Sequence, residues 1–105
     1  MAVSEVFRAL SDPTRREILF LLRAGDKSAG ELAEHFPLSK STLSGHFNVL
    51  KGAGLIVSER RATTIVYSIN VSAFEEALGA LLQLLSVGEP KESAGKSGEV
   101  RGEAQ

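Results

Sequence analysis

Small polar side chains are concentrated in one stretch of the sequence, residues 39–51. If this stretch is a helix, Leu43, Phe47 and Leu50 pack inward, which leaves hydroxyl and amide groups on the opposite face. Such groups hydrogen-bond to base edges and phosphates, and a lysine at a helix start can reach either. We therefore predict a DNA-binding face, the alternative being an ordinary solvated helix surface. Its members are Lys40, Ser41, Thr42, Ser44, Gly45, His46, Asn48 and Lys51.

Two members of this face have more than one explanation. Glycine inside a helix costs roughly 0.5–1 kcal/mol relative to alanine, so Gly45 marks either a close approach of the backbone to DNA or a tolerant exposed position. His46 is expected to contact a phosphate or to take part in packing. The other histidine, His35, is expected at the surface. Two histidines on separate helices, without any cysteine, predict neither a metal site nor another cofactor.

Two arginines follow the predicted helix and add positive charge. Segments 55–59 and 64–69 are rich in β-branched residues, which predicts a hairpin with residues 60–63 at its tip. Arg60 and Arg61 would then contact phosphates or enter the minor groove. Charged hairpin tips are common on protein surfaces, so the location directly after the polar helix is what favours this role.

Helix-start signals supply the framework that would position these groups. Asp12 precedes Pro13, which is typical of an N-cap and the first helical position, and this helix is expected to end at 24–26. Ser28 and Glu31 form a capping-box pattern before a short helix, and Ser39 caps the polar one. A short helix, a tight turn and a longer helix followed by a hairpin predict a mainly α, winged helix-turn-helix fold. Nearby Arg15 and Arg16 are expected to pair locally with Glu17 or Asp12 or to be solvated, and a phosphate contact is the alternative.

The two terminal helices carry more apolar residues than one small domain needs. The last helix, expected from 73 to about 86 with Ser72 as its cap, has an apolar stripe too broad to lie on one domain. Part of it should therefore meet a partner. The residues expected in a dimer interface, which comes from both terminal helices, are Val6, Phe7, Leu10, Phe74, Leu78, Leu81 and Leu85.

Composition limits the remaining possibilities. The chain has 105 residues, of which 43% are hydrophobic, so we predict one domain over residues 1–87. Residues 88–105 are mostly Gly, Glu, Lys and Ser and are expected to form a disordered tail. The net charge is −1, but nine cations against seven acids up to residue 71 leave +2 there. Without a signal sequence, an apolar span or any catalytic motif, we expect a cytoplasmic protein that is not an enzyme.

Three motifs in this order resemble the ArsR-type winged helix-turn-helix regulators. They are FRALSDPTRREIL at 7–19, LSKSTLSGHFNVLK at 38–51 and AGLI at 53–56, within a resemblance that spans residues 3–85. The stretch SAGELAEHF at 28–36 is most similar to the SdpR-like autorepressor branch. The resemblance implies a homodimer, with the first and last helices at its interface, that represses by occluding a promoter. Gly45 departs from relatives that place a bulky polar residue there.

The metal-sensing positions of the family are not carried over. Many members bind metal through cysteines in the helix before the recognition helix, where this chain reads ELAEH at 31–35, or through histidine and acids in the last helix, which has no histidine here. Two other modes of control remain open. The regulator could be sequestered by a protein partner, such as a membrane signalling protein, or respond to a small non-metal ligand at the dimer interface.

Overall fold

The computed structural model describes residues 3–85, and the predicted tail at 88–105 lies outside this range. The described chain contains five helices and three strands. In order they are α1 (Val3–Leu10), α2 (Pro13–Arg23), β1 (Lys27–Ser28), α3 (Ala29–Ala33), α4 (Lys40–Gly52), β2 (Ile56–Arg61), β3 (Thr64–Ile69) and α5 (Val71–Leu85). This is the mainly helical winged helix-turn-helix arrangement that the sequence predicts. None of the helices in residues 3–85 has the length and apolar character needed to cross a bilayer.

Three of the helices, α2, α3 and α4, start at the predicted caps Asp12, Ser28 and Ser39. The Asp12 carboxylate accepts a hydrogen bond from the backbone N–H of Arg15 at 3.0 Å, ahead of Pro13 at the start of α2. Ser28 and Glu31 form the reciprocal capping box of α3, with bonds of 3.0 and 2.8 Å. The prediction for α5 is wrong, since Ser72 lies inside that helix. Asn70 holds its start instead, because its amide accepts from Ala73 N–H at 3.4 Å and donates to the Gly54 carbonyl at 3.0 Å.

The hairpin is longer than predicted and has a third strand beside it. Arg61 pairs with Thr64, so the turn is only Ala62-Thr63, and Ala62 adopts a φ of 57°. Arg60 and Arg61 therefore lie in β2 and not in the turn, which corrects the prediction. The sheet order is β1-β3-β2, in which β1 pairs Lys27 with Tyr67 of β3. A strand of two residues has no periodicity, so the sequence did not reveal it.

One apolar core joins the helices to the sheet. Its fully buried side chains come from α1, α2, α3, α4 and the start of β2, with Ile18, Leu32 and Leu50 among the largest. The rings of Phe47 in α4 and Tyr67 in β3 lie 4.6 Å apart between centroids, which connects the polar helix to the hairpin. Among residues 3–85, no polar or charged residue is buried. The polar groups that could act on a ligand are therefore near the surface.

Candidate nucleic-acid interface

Three buried side chains determine which face of α4 is outward. Leu43, Phe47 and Leu50 are 2%, 4% and 0% exposed, so α4 cannot rotate about its axis without losing core contacts. The polar side of the same helix is consequently exposed at every position predicted for base contacts. These exposed residues are Lys40, Ser41, Thr42, Ser44, Gly45 and Asn48, and Lys51 is exposed in the last turn.

Hydroxyl groups at the start of α4 are held in position by hydrogen bonds within the chain. The Ser39 hydroxyl accepts from the backbone N–H of Thr42 at 3.1 Å, and it also contacts the hydroxyls of Thr42 at 2.9 Å and Ser41 at 3.2 Å. Three hydroxyls thus lie together, exposed, where the positive end of the helix dipole favours an anion. Lys40 adds a full positive charge at the first helical residue. This end of α4 is suited to contact a phosphate and the adjoining base edges.

Gly45 lies on the exposed face with empty space in front of it. A Cβ built at this position would meet no atom within 4 Å. The packing of this chain therefore does not require glycine there, and its backbone conformation is ordinary helix. The absence of a side chain lets an external surface come closer to α4 at this point than at its neighbours.

The two arginines of the hairpin are exposed but do not form one patch. Neighbouring residues in a strand point to opposite faces, so Arg60 and Arg61 project to different sides of β2. Arg61 donates a hydrogen bond to the Glu59 carboxylate at 3.1 Å, and both side chains are more than half exposed. Such a pair contributes little to stability and is easily exchanged for a phosphate. Either side of the hairpin thus presents one arginine.

His46 is directed inward, unlike the rest of the predicted DNA-binding set. Its side chain is 17% exposed, and its Nδ1 atom lies 3.2 Å from Nη1 of Arg15 and 3.8 Å from the Asp12 carboxylate. The histidine thus packs between α4 and α2, which favours the packing role over the phosphate contact. His35, by contrast, is exposed as predicted, and no group of three or more metal-ligating side chains occurs within residues 3–85.

Arg15 and Arg16 make contacts beyond the predicted local acid pairs and solvation, although Arg16 is exposed and the charge of Arg15 does act on the Asp12 carboxylate. Arg15 donates through Nε to the carbonyl of Ala9 at 2.8 Å, and through Nη2 to that of Arg8 at 3.1 Å. Arg16 donates through Nη1 to the carbonyl of Leu10 at 2.9 Å. Both therefore donate to carbonyls at the end of α1, which lack intrahelical donors. The Arg8 carbonyl also accepts from the N–H of Ser11 at 3.1 Å and from its hydroxyl at 2.6 Å. The position of the two arginines six or seven residues after those carbonyls, across the tight Ser11-Asp12 connection, was the signal available in the sequence.

A second surface, at α1 and α5, is apolar and exposed. Of the residues predicted for a dimer interface, Phe7, Leu78, Leu81 and Leu85 are 40–78% exposed, while Leu10 and Phe74 are partly buried. Val6 has no exposed surface because α1 packs on α2, α4 and α5, so it belongs to the core and the prediction is corrected there. Leu84, which is 63% exposed, belongs to the apolar surface and was missed. Apolar patches of this kind mark interaction sites.

The inner face of α4 is packed in the core, its polar face is exposed, and a two-stranded hairpin lies beside it. This arrangement defines a winged helix-turn-helix DNA-binding transcriptional regulator. The family model described as "Bacterial regulatory protein, arsR family" matches residues 12–58. The transcriptional repressor SdpR of Bacillus subtilis (strain 168) is 42% identical over 87 residues, which are 83% of this chain and 97% of that protein. The chain belongs to the ArsR family, as the motif resemblance predicted.

Other relatives agree with this assignment. The HTH-type transcriptional regulator CmtR of Mycobacterium tuberculosis (strain ATCC 25618 / H37Rv) is 38% identical over 84 residues, 80% of this chain and 71% of that protein. Among solved structures, an ArsR-like transcriptional regulator from Rhodococcus sp. RHA1 superimposes with a TM-score of 0.75 at 32% identity, covering 88% and 87% of the two chains. These relatives are named regulators, which supports the expectation that the chain is not an enzyme.

The capping carboxylate of α2 gives the fold a testable dependence on pH. The hydrogen bond from Arg15 N–H holds the pKa of Asp12 below its ordinary value of 3.8. The charged carboxylate therefore stabilises the fold above pH 3.8, and this contribution is lost as the pH falls through the lower folded value. In Asp12→Asn the amide still caps the helix but carries no charge. We expect its urea midpoint to lie below that of the parent near neutral pH, with the difference narrowing in acid.

Urea unfolding followed by circular dichroism at neutral pH and near pH 3 measures this difference. Asp26→Asn is the matched control, because Asp26 is exposed in the loop after α2 and caps no helix. A difference between Asp12→Asn and the parent that stays constant over the whole pH range would contradict the assignment.

Proposed function

We propose that this chain is a cytoplasmic repressor that binds an inverted-repeat operator as a homodimer and blocks access to the promoter. The observation that carries the proposal is the exposed polar face of α4, held outward by the burial of Leu43, Phe47 and Leu50. A helix of this width enters the major groove of B-DNA, where hydroxyl and amide groups read base edges. One of the relatives is named a transcriptional repressor, which supports repression as the effect of this binding.

A two-fold dimer accounts for the exposed apolar surface of α1 and α5. A two-fold interface uses the same patch on both copies, so Phe7, Leu78, Leu81 and Leu85 would be covered together. The two α4 helices would then enter successive major grooves roughly 34–36 Å apart, which is one turn of DNA. An operator with two inverted half-sites follows from that symmetry.

The exposed residues divide into two tasks under this proposal. Lys40, Ser41, Thr42, Ser44 and Asn48 contact bases and the nearest phosphates, whereas Lys51, Arg60 and Arg61 hold the DNA backbone. Contacts of the second kind carry no sequence information but account for the dependence of affinity on salt.

The first test compares Arg60→Ala/Arg61→Ala with Asn48→Ala on DNA from upstream of the chain's own gene. Fluorescence anisotropy over a salt series should show that the arginine variant binds all sequences more weakly, with a log–log salt slope smaller by about 0.9 for each phosphate that is no longer bound. Asn48→Ala should keep the slope and lose preference for the operator over a shuffled sequence. Failure of the parent chain to bind either DNA at low salt would refute the proposed function.

The mass of the pure protein in solution separates the dimer from control by a protein partner. Light scattering after size-exclusion chromatography should give twice the chain mass at micromolar concentration. Leu81→Glu places a charge in the proposed interface and should yield monomer with much weaker operator binding. A stable monomeric parent would leave the apolar surface of α5 for another protein instead.

Gly45 gives a sharper test of how closely α4 approaches DNA. Because a Cβ at this position meets nothing, Gly45→Ala should stabilise the free protein by roughly 0.5–1 kcal/mol, measured by urea unfolding. Under close approach, the same variant should bind operator more weakly despite its greater stability. Gly79→Ala in α5 is the control, since its Cβ also meets open space and it lies outside α4. Unchanged operator affinity in Gly45→Ala would mean that the position is merely tolerant.

A groove beside the proposed interface favours control by a small ligand as a second candidate. It has a volume of about 440 Å³ and lies between α2, the end of α1 and the start of α5. Its apolar walls are Leu10, Leu19, Phe20, Ile69, Val71 and Phe74, and the two charged residues along it, Arg16 and Arg23, are both cationic. An apolar body with one negative charge complements this lining.

Decanoate and decanol form a matched pair of probes for the groove. Under ligand control, decanoate should raise the thermal midpoint and release operator DNA, decanol should do so less, and Arg23→Gln should remove the distinction between them. If neither compound changes the midpoint, the groove is not a site for such a ligand.

A further inference from the structure

We infer that Arg15 is a positioning residue, which sets the orientation of the recognition helix α4 relative to α1 through His46. This inference rests on the proposed function, because it concerns how α4 is presented to DNA. It assigns no contact with DNA to either residue. The juxtaposition that carries it is one guanidinium, on a side chain of α2, in contact with both α1 and α4.

All three nitrogens of the guanidinium have separate partners. Nε donates to the Ala9 carbonyl at 2.8 Å and Nη2 to the Arg8 carbonyl at 3.1 Å, both at the end of α1. Nη1 lies 3.2 Å from Nδ1 of His46 on α4. Arginine has only donors, so Nδ1 of the histidine must be the acceptor in this contact, and the ring proton of the neutral imidazole is then on Nε2.

This arrangement constrains more than a single hydrogen bond does. The guanidinium is planar, and the directions of its donors are fixed relative to one another, so a shift of α4 against α1 strains at least one of the contacts. The backbone of Arg15 is itself held by the cap on Asp12. The cation also lies at the carboxyl end of α1, where the helix dipole favours positive charge. The contacts therefore fix a relative position of α1, α2 and α4.

The consequence for DNA binding follows from symmetry. α1 carries Phe7 of the proposed dimer surface, and α4 carries the groups that face DNA. If α1 and α4 shift relative to each other in one chain, the same shift occurs in the second copy. The distance between the two recognition helices therefore changes by the sum of the two shifts. Because half-site spacing is fixed by the DNA, the affinity for operator depends on this contact while the affinity for unrelated DNA depends on it much less.

Arg16 provides a matched comparison within the same helix. It also donates from α2 to an α1 carbonyl, that of Leu10, and it carries the same charge, but this hydrogen bond does not reach α4. Arg15→Gln and Arg16→Gln therefore each remove one charge and the arginine hydrogen bonds to α1, two for Arg15 and one for Arg16, and only Arg15→Gln also removes the connection to His46. His46→Ala removes that connection from the other side and leaves the arginine bonds to α1 in place.

The experiment measures binding of the full chain to upstream DNA and to unrelated DNA by anisotropy, well below each variant's thermal midpoint. Arg15→Gln and His46→Ala should each weaken operator binding about tenfold, and the double variant should be little worse than either because they break the same hydrogen bond. Arg16→Gln should change affinity less than about threefold. The salt slope should be unchanged in all three, since none of these side chains binds a phosphate under the inference.

Three results would overturn the inference. The first is that Arg15→Gln binds operator as tightly as the parent, and the second is that Arg16→Gln loses as much operator affinity as Arg15→Gln. The third is a salt slope reduced by about one in Arg15→Gln, which would indicate a direct phosphate contact. Amide chemical shifts of the DNA-free protein test the same point independently of the proposed function. Arg15→Gln should shift the amides of α4, and Arg16→Gln should leave them nearly unchanged.

Discussion

The burial of one side of α4 is the constraint on which the rest of the interface depends. Leu43, Phe47 and Leu50 are almost wholly removed from solvent, and Phe47 also stacks against Tyr67 of the hairpin. Burying side chains of this size stabilises by about 1.5–3 kcal/mol each, far more than an exposed polar interaction contributes. The outward direction of the hydroxyl and amide groups is therefore a consequence of packing. They need no bonds of their own to hold the helix in place.

Charge plays a local part in this protein. With a net charge of −1, the chain has no overall field that would attract DNA, and the cations matter by where they lie. Lys40 and Lys51 are at the two ends of α4, and the hairpin places one arginine on each of its sides. Arg15 and Arg16 bind carbonyls inside the chain and so contribute to the fold. The lysines of α4 and the hairpin arginines are thus available to a phosphate backbone, whereas the α2 pair is structural.

Local signals in the sequence were enough for most of the fold. The caps at Asp12, Ser28 and Ser39 and the spacing of apolar residues in α4 predicted elements that the structure confirms, since each depends on residues a few positions apart. The burial of Val6 and the pairing of β1 depend on residues distant in sequence and were not predicted, and for the same reason the sequence left open whether His46 packs or contacts a phosphate. The turn residues were also misplaced, because Ala62 with a positive φ gives none of the usual glycine or asparagine signal.

The short strand β1 has a mechanical consequence. Lys27 and Ser28 pair with β3, and Ser28 is at the same time the cap of α3, so one residue joins the hairpin to the helix-turn-helix. The middle of β3 is thus held by β1 on the side away from β2, so the hairpin has little freedom to move as a separate arm. In the proposed dimer, a signal that changes the affinity for DNA would therefore act most directly by changing the orientation of the two copies relative to each other.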